Sequence, residues 1–252
     1  MIELPTEKIP ASLENPKLLI LFGLPKVGKT TALSYLPNNL IIDFEEGTDF
    51  IDALKVKVNC LRASHKRKDT DVSFEEVAAT ILKSGKPYDF VTIDTVTALE
   101  DWCVRDATEM YMKSPIGKSF DGESVLELPN GAGYYWLRRS FDYWLKIAAK
   151  LADNVILVGH TKDKYINYTG KEGIVESLDL TGKISRATSA KSDAIGFIYR
   201  DKKGNLVVNF KNKEVQGGTR SKHLANKEFI IMEQNENGEQ VANWSQIFKI
   251  KS

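Results

Sequence analysis

Residues 23–30 read Gly23-Leu24-Pro25-Lys26-Val27-Gly28-Lys29-Thr30, and this octapeptide limits what the chain can fold into more than any other feature. It matches GxxxxGK[ST], in which glycines let backbone N–H groups curl around phosphates. The pattern needs an apolar strand leading in and a helix leading out. Both are present: residues 18–22 are an unbroken apolar run, and residues 29–36 can form a short helix closed by Pro37 and two asparagines. In that setting the helix N-terminus adds its positive dipole end. Lys29 then reaches the β and γ phosphates, and the Thr30 hydroxyl binds Mg²⁺. The expected nucleotide-contacting stretch is residues 23–31, Thr31 included.

The remainder of the chain alternates strands and helices. Apolar runs at 40–44, 56–61, 88–94 and 155–159 read as strands. Ser73 and Glu76 form a capping box ahead of a helix whose apolar face is Val77, Ile81 and Leu82. Residues 98–112 and 134–152 read as helices, joined by a long Gly, Pro and Ser-rich connection over 114–132. A polar stretch covers 161–182. Alternating runs at 194–200, 205–210 and 227–232 predict antiparallel strands, with a turn at Gly204-Asn205. The pattern predicts an α/β fold: a mostly parallel central sheet flanked by helices, with a C-terminal antiparallel β extension over 194–252. Residues 1–16, holding Pro5, Pro10 and Pro16, are expected to be a surface tail, and 17–252 a single domain.

Composition removes several classes. With 252 residues and 42% hydrophobic content there is enough for one sizeable core. The 35 Lys plus Arg against 34 Asp plus Glu give no global basic field, so nucleic-acid binding has to come from local patches. Two cysteines, Cys60 and Cys103, and three histidines offer neither a disulfide framework nor zinc-ligand spacing. The N-terminus has no apolar signal core, and no run approaches the ~18 apolar residues of a membrane span. A soluble, cytoplasmic protein is expected.

A phosphate site of this kind needs an acid at the end of an apolar strand. Asp94, after Phe90-Val91-Thr92-Ile93, fits the Mg²⁺ position. Thr95 follows it where many such enzymes carry a glutamate, so a hydrolytic carboxylate has to come from elsewhere. Asp43-Phe44-Glu45-Glu46-Gly47 closes the strand after the P-loop helix, at the edge where ligands gather in parallel sheets. Strand alternation puts Asp43 and Glu45 on one face and Glu46 on the other. Glu45 is the favoured base, with a solvated acidic loop as the alternative.

The order GLPKVGKT, IIDFEEG, VTIDTVTALE, VILVGHTK resembles the RecA-like recombinase core. The short P-loop helix and the segments DLTGKI (179–184) and SDAIGFIYRD (192–201) are most similar to small phage-type single-domain RecA-like P-loop ATPases, a group associated with recombination and single-strand annealing. The resemblance spans about residues 17–232. It implies ATP and Mg²⁺ as ligands, Glu45 as catalytic glutamate, and His160 as polar sensor where RecA has a glutamine. A satisfied strand-end histidine is the alternative for His160. It implies binding of single-stranded DNA through the loops after the central strands. One is 161–182, with Lys162, Lys164, Tyr165 and Tyr168; another is 114–132, beside Lys113 and with Lys118. An ordinary solvated loop is the alternative for 161–182, and a solvated surface run for the basic cluster at 64–68. It also implies self-association into a ring or filament, in which a neighbour's cation reaches the γ-phosphate. Since no Arg adjoins the P-loop or strand-end motifs in sequence, Arg220 and Lys222, in a Gly-flanked basic turn, are the candidates, with a β-turn bearing solvated charges as the alternative. DNA-stimulated ATPase activity, an annealing or single-strand-binding partner protein, and the host cytoplasm if the gene is phage-borne complete the expectation.

Three other functions fit parts of the pattern. A hexameric helicase or loader would use the same core, and a nucleotide-binding regulator would have no DNA role. A small-molecule kinase or GTPase lacks support: the NKxD base-reading motif is absent after Asn212-Lys213 and Asn226-Lys227, and the arginines are scattered.

Overall fold

The structure, a computed structural model, describes residues 4, 6–11, 13–168, 171–211, 216–235 and 237–249, with the backbone alone described over 164–168 and 171–175. In chain order the elements are β1 (Leu18–Phe22), α1 (Lys29–Ser34), β2 (Asn39–Asp43), β3 (Leu54–Lys57), α2 (Phe74–Lys83), β4 (Phe90–Asp94), α3 (Val96–Met112), α4 (Gly133–Ala148), β5 (Asn154–Gly159), β6 (Thr161–Tyr168), β7 (Lys171–Leu178), α5 (Gly182–Lys191), β8 (Ala194–Arg200), β9 (Leu206–Asn209), β10 (Gly218–Thr219), β11 (Glu228–Gln234) and β12 (Gln240–Ala242).

The main sheet runs β12-β11-β9-β8-β1-β5-β4-β2-β3, with β10 pairing the start of β8. From β3 to β8 the strands are parallel, and β9, β11 and β12 extend the sheet antiparallel. This is the mostly parallel sheet with an antiparallel extension that the strand–helix pattern predicts, and in it the strand bearing Asp94 is separated from β1 by β5. Strands β1, β2 and β4 are buried at every residue, because a parallel sheet is covered on both faces. Alternation sorts their side chains. Leu18, Ile20 and Phe22 of β1 join the core under α2, α3, α4 and α5, while Leu19 and Leu21 face the opposite core. On that second face α1 is only six residues long. The C-terminal segment supplies the missing cover: Trp244, Ile247 and Phe248 are buried there, and Trp244 Nε1 donates to the Ala32 carbonyl at 2.7 Å. Phe248 packs edge-on to Phe90 with ring centroids 4.8 Å apart.

Several local expectations hold and several shift. The capping box at Ser73 and Glu76 is formed. The buried face of α2 is Phe74, Ala78 and Ile81, however, and Leu82 is 42% exposed. The strand expected at 56–61 starts two residues earlier and ends at Lys57. The polar stretch 161–182 is not a loop over most of its length. It forms the hairpin β6–β7, paired from Thr161↔Leu178 to Tyr168↔Lys171, followed by α5, a helix that the polar composition concealed. Strand β8 is only half antiparallel: it pairs β9 on one side but β1 in parallel on the other, so the extension continues the main sheet. The 114–132 connection holds three short 3₁₀ turns and buries Val125, whose N–H donates to Thr108 Oγ1 of α3 at 2.9 Å. Among the described residues no helix is long and apolar enough to cross a membrane.

Candidate active site

The loop 23–28 leaves the buried end of β1 and enters α1. Its two glycines are required for different reasons. A Cβ on Gly23 would sit 2.3 Å from the Ile198 backbone oxygen of β8, so only glycine permits that approach. Gly28, the N-cap of α1, has φ +109, a conformation L side chains rarely adopt. The loop leaves donors free: among the described residues the N–H groups of Leu24, Lys26, Val27 and Gly28 have no acceptor. Together with the open first turn of α1 they form a concave set of donors suited to an anion.

Lys29 is buried, with 6% exposure, and its ammonium donates only to the carbonyls of Gly23 (3.0 Å) and Leu24 (2.8 Å). Burial pushes its pKa down, and the negative charges of Asp94 and Glu45 oppose that. Thr30 Oγ1 donates to Asp94 Oδ2 at 2.6 Å. The Asp94 carboxyl is pushed up to about 6, mainly by burial; the bond from Thr30 works against this, and Asp43 and Glu45 add to it. Orphaned amides, a buried ammonium satisfied only by carbonyls, and a hydroxyl–carboxylate pair fit a nucleotide's phosphates and a divalent cation. Residues 23–31 would hold the phosphates, and Thr30 with Asp94 the Mg²⁺.

The carboxylates at the end of β2 divide their work. Asp43 is the last residue of the strand, and its buried carboxylate accepts from the N–H groups of Glu45, Gly47 and Thr48 and from Thr48 Oγ1 (3.0, 3.3, 3.0 and 2.7 Å). It therefore shapes a turn rather than facing the ligand crevice, which corrects the expectation that it shares a face with Glu45. Glu46, in that turn, has φ +58. Glu45 points back over the neighbouring strand. Thr95 Oγ1 donates to its Oε1 at 2.5 Å, and His160 Nε2 lies 3.3 and 3.4 Å from its two oxygens. Thus Thr95, absent from the expected site set, orients the carboxylate, while also capping α3 by accepting from Ala98 N–H at 3.2 Å. His160 leads directly into β6, and its carbonyl accepts from Asp179 N–H at 2.9 Å, just past β7.

The other expected residues are dispersed. Arg220 lies beside the first residues of β8, at the opposite end of that strand from the P-loop. Its guanidinium is held by Asp193 (3.2 Å) and the Ala190 carbonyl (2.8 Å) of its own chain, and Lys222 is exposed nearby. Lys162 is engaged within the fold, donating to the Leu180 carbonyl and pairing with Asp179 at 3.2 Å. Lys113 pairs with Glu109, and Lys118 is exposed. The side chains of Lys164, Tyr165 and Tyr168 lie outside the described residues. One cation that sequence order had excluded does adjoin the P-loop. Arg200, at the C-terminal end of β8, places Nη2 2.9 Å from where a Gly28 Cβ would stand, and its Nη1 donates to the Gly204 carbonyl at 2.7 Å. Only the parallel pairing of β8 with β1 brings it there.

A model of the AAA domain family AAA_24 matches residues 15–223, which include every site residue named above. The chain belongs to this AAA domain family. No curated protein matches it. Among solved structures it is similar to the RadB recombinase, at 14% identity over 89% of this chain and 90% of that one, with a TM-score of 0.41. It is also similar to a KaiC-like protein from the hyperthermophilic archaeon Pyrococcus horikoshii OT3, at 12% identity over 93% and 96% of the two chains, with a TM-score of 0.44. The AAA domain is a P-loop ATPase domain, and the Lys29, Thr30 and Asp94 geometry is the part of it that a nucleotide would engage.

Proposed function

We propose that this AAA domain hydrolyses ATP to ADP and phosphate and works on single-stranded DNA in phage-type recombination, repair or replication. The observation that carries the hydrolytic reading is the Glu45 carboxylate, held by Thr95 and His160 just past the end of β2, the strand next to the one bearing Asp94. In this reading Lys29 exchanges its two carbonyl partners for β and γ phosphate oxygens, a charge-assisted contact stronger than the one it leaves. Mg²⁺, when held by Thr30 and Asp94, would screen the phosphate charge. Glu45 takes a proton from a water molecule as the water oxygen bonds to the γ phosphorus and the bond to the ADP oxygen breaks. His160 shares that carboxylate and opens the β6–β7 hairpin, so a strand held at the hairpin would bear on the base directly. The DNA role is supported by the order of the sequence motifs and by this connection. A ring or filament, with Arg220 or Lys222 of a neighbour completing the site, is part of the same proposal. An annealing or single-strand-binding partner and a location in the host cytoplasm also belong to it.

The test is the Mg²⁺-dependent ATPase rate with and without single-stranded oligonucleotide, for the wild type and Lys29→Ala. Wild-type turnover that rises severalfold with oligonucleotide, and no ATP binding by Lys29→Ala, is the expected result. Turnover indifferent to any oligonucleotide would remove the DNA role. Wild-type ATP affinity in Lys29→Ala would remove the phosphate site itself.

A further inference from the structure

A cavity of about 480 Å³ opens between the segment after β3 and the first half of α3, within the size range of small-ligand sites. One wall carries Arg67 and Lys68, and α3 contributes Asp101, Trp102 and Arg105. Of the two acids in the lining, Asp71 is already occupied, whereas Asp101 has no hydrogen-bond or ion-pair partner among the described residues, so one free carboxylate stands against the cations Arg67, Lys68 and Arg105. Asp71 accepts from the N–H groups of Arg67 (2.6 Å) and Lys68 (2.9 Å) and from Asn59 Nδ2 (2.8 Å). This fixes the backbone of the loop and uses the carboxylate without pairing it to either side chain. Among the described residues Arg67 and Lys68 have no ion-pair partner, and Arg105 has only Glu109 at 3.7 Å. Trp102 is half-buried and packs against Phe44, with ring centroids 4.9 Å apart. Phe44 immediately precedes Glu45. A cationic wall, an aromatic face and a direct packing link to the residue beside the base therefore meet in one cavity.

We propose that this cavity binds a nucleotide unit, its base against Trp102 and its phosphate on Arg67, Lys68 and Arg105, and that occupancy reaches Glu45 through Phe44. Cations paired with a stacking ring are what a base–phosphate unit requires. Charge complementarity favours this ligand over a neutral one. The unit is supplied either by a nucleic-acid strand or by a free nucleotide. The effect on Glu45 rests on the hydrolytic reading above; the binding site does not.

The test titrates the full chain with a short oligothymidylate and, separately, with thymidine monophosphate, following tryptophan fluorescence. Quenching is expected at Trp102, which is half-exposed; Trp144 and Trp244 are buried, and Trp136, half-exposed as well, lies outside the cavity lining, so Trp102→Phe assigns the signal. Quenching by the oligomer alone identifies a strand, and equal quenching by the monophosphate identifies a free nucleotide. In Arg67→Ala/Lys68→Ala/Arg105→Ala the affinity for the oligomer should fall about tenfold or more, and the log–log salt slope should become shallower by about 2. Its ATPase rate without oligonucleotide should match the wild type. Trp102→Phe should lose the quench. No quenching by either probe, wild-type affinity in the triple variant, or a quench that survives Trp102→Phe would overturn the proposal. A wild type that quenches as expected yet hydrolyses no ATP leaves the site standing and overturns the hydrolytic reading instead.

Discussion

Thr95 and Glu45 come from adjacent strand ends and share a 2.5 Å hydrogen bond, so the residue directly after Asp94 holds the carboxylate in place. Where a glutamate in that position would supply the base itself, this chain has a hydroxyl, and the proposed base, Glu45, lies just past the end of β2. Glu45→Gln should retain ATP binding and lose most turnover, while Glu46→Gln stays near wild type. Thr95→Ala should cost about 1 kcal/mol of stability as a lost helix cap and lower turnover about tenfold, roughly one lost hydrogen bond to a charged group. Thr95→Ser should restore both. Equal turnover in Thr95→Ala and wild type, measured by phosphate release, would show that the bond does not orient the base.

Asp94 should trade stability for metal binding. Burial pushes its carboxyl up to about 6 from an ordinary value of 3.8. A raised carboxyl is stabilising while protonated, so its contribution is complete below about pH 4 and is lost as pH rises through 6. Near pH 7 Asp94→Asn should therefore raise the stability of the nucleotide-free protein, by at most about 3 kcal/mol for a shift of this size, while abolishing Mg²⁺-dependent turnover. Thermal unfolding at pH 4.5 and pH 7.5 checks the sign: the gain should be larger at the higher pH.

The two P-loop glycines should fail differently. Gly23→Ala sets a Cβ against the backbone oxygen of Ile198, which cannot move aside without parting β8 from β1. It should destabilise the fold by about 1–3 kcal/mol or more, and trimming the Ile198 side chain should not rescue it. Gly28→Ala crowds the end of the Arg200 side chain, which can yield, and touches Leu206 at ordinary van der Waals distance, so its cost is the left-handed backbone, about 1–3 kcal/mol. Adding Arg200→Ala should recover little of that. Urea unfolding of the single and double variants separates the two mechanisms.

Arg220 has a local duty as well as a proposed remote one. Asp193, its partner, also accepts from the N–H groups of Lys17 and Leu18 at 3.0 and 3.1 Å, anchoring the entry to β1. If Arg220 also completes a neighbour's site, Arg220→Ala should bind ATP normally and hydrolyse it slowly. Mixing Arg220→Ala with Glu45→Gln should then regain activity, because some interfaces pair two intact halves. A lowered Tm with no gain on mixing would confine Arg220 to the Asp193 contact.

Much of the phosphate site was legible because its parts are contiguous. The octapeptide 23–30 contains its own donors, ammonium and hydroxyl; the run at 18–22 is wholly apolar, and 90–94 is apolar apart from Thr92 and the terminal Asp94, which is the signature of buried parallel strands. The sequence favours Glu45 by strand alternation, a rule that does not operate there. Strand alternation ends at Asp43, and the carboxylate is aimed by a turn that Asp43 closes and by Thr95. The hairpin β6–β7 and helix α5 were obscured because their polar residues present no apolar period.

The sequence by itself determined the strand–loop–helix around Lys29, the acid at Asp94 and the mainly parallel character of the sheet, since each depends on residues close together in the chain. Strand order decided the rest. Period-two burial tells which face a residue takes but not which strand lies beside it. Only the pairing of β8 with β1 sets Arg200 against Gly28, and only the return of the C-terminal segment lays Trp244 over the short α1. These contacts join residues more than a hundred positions apart, and tertiary packing, not local propensity, selects them.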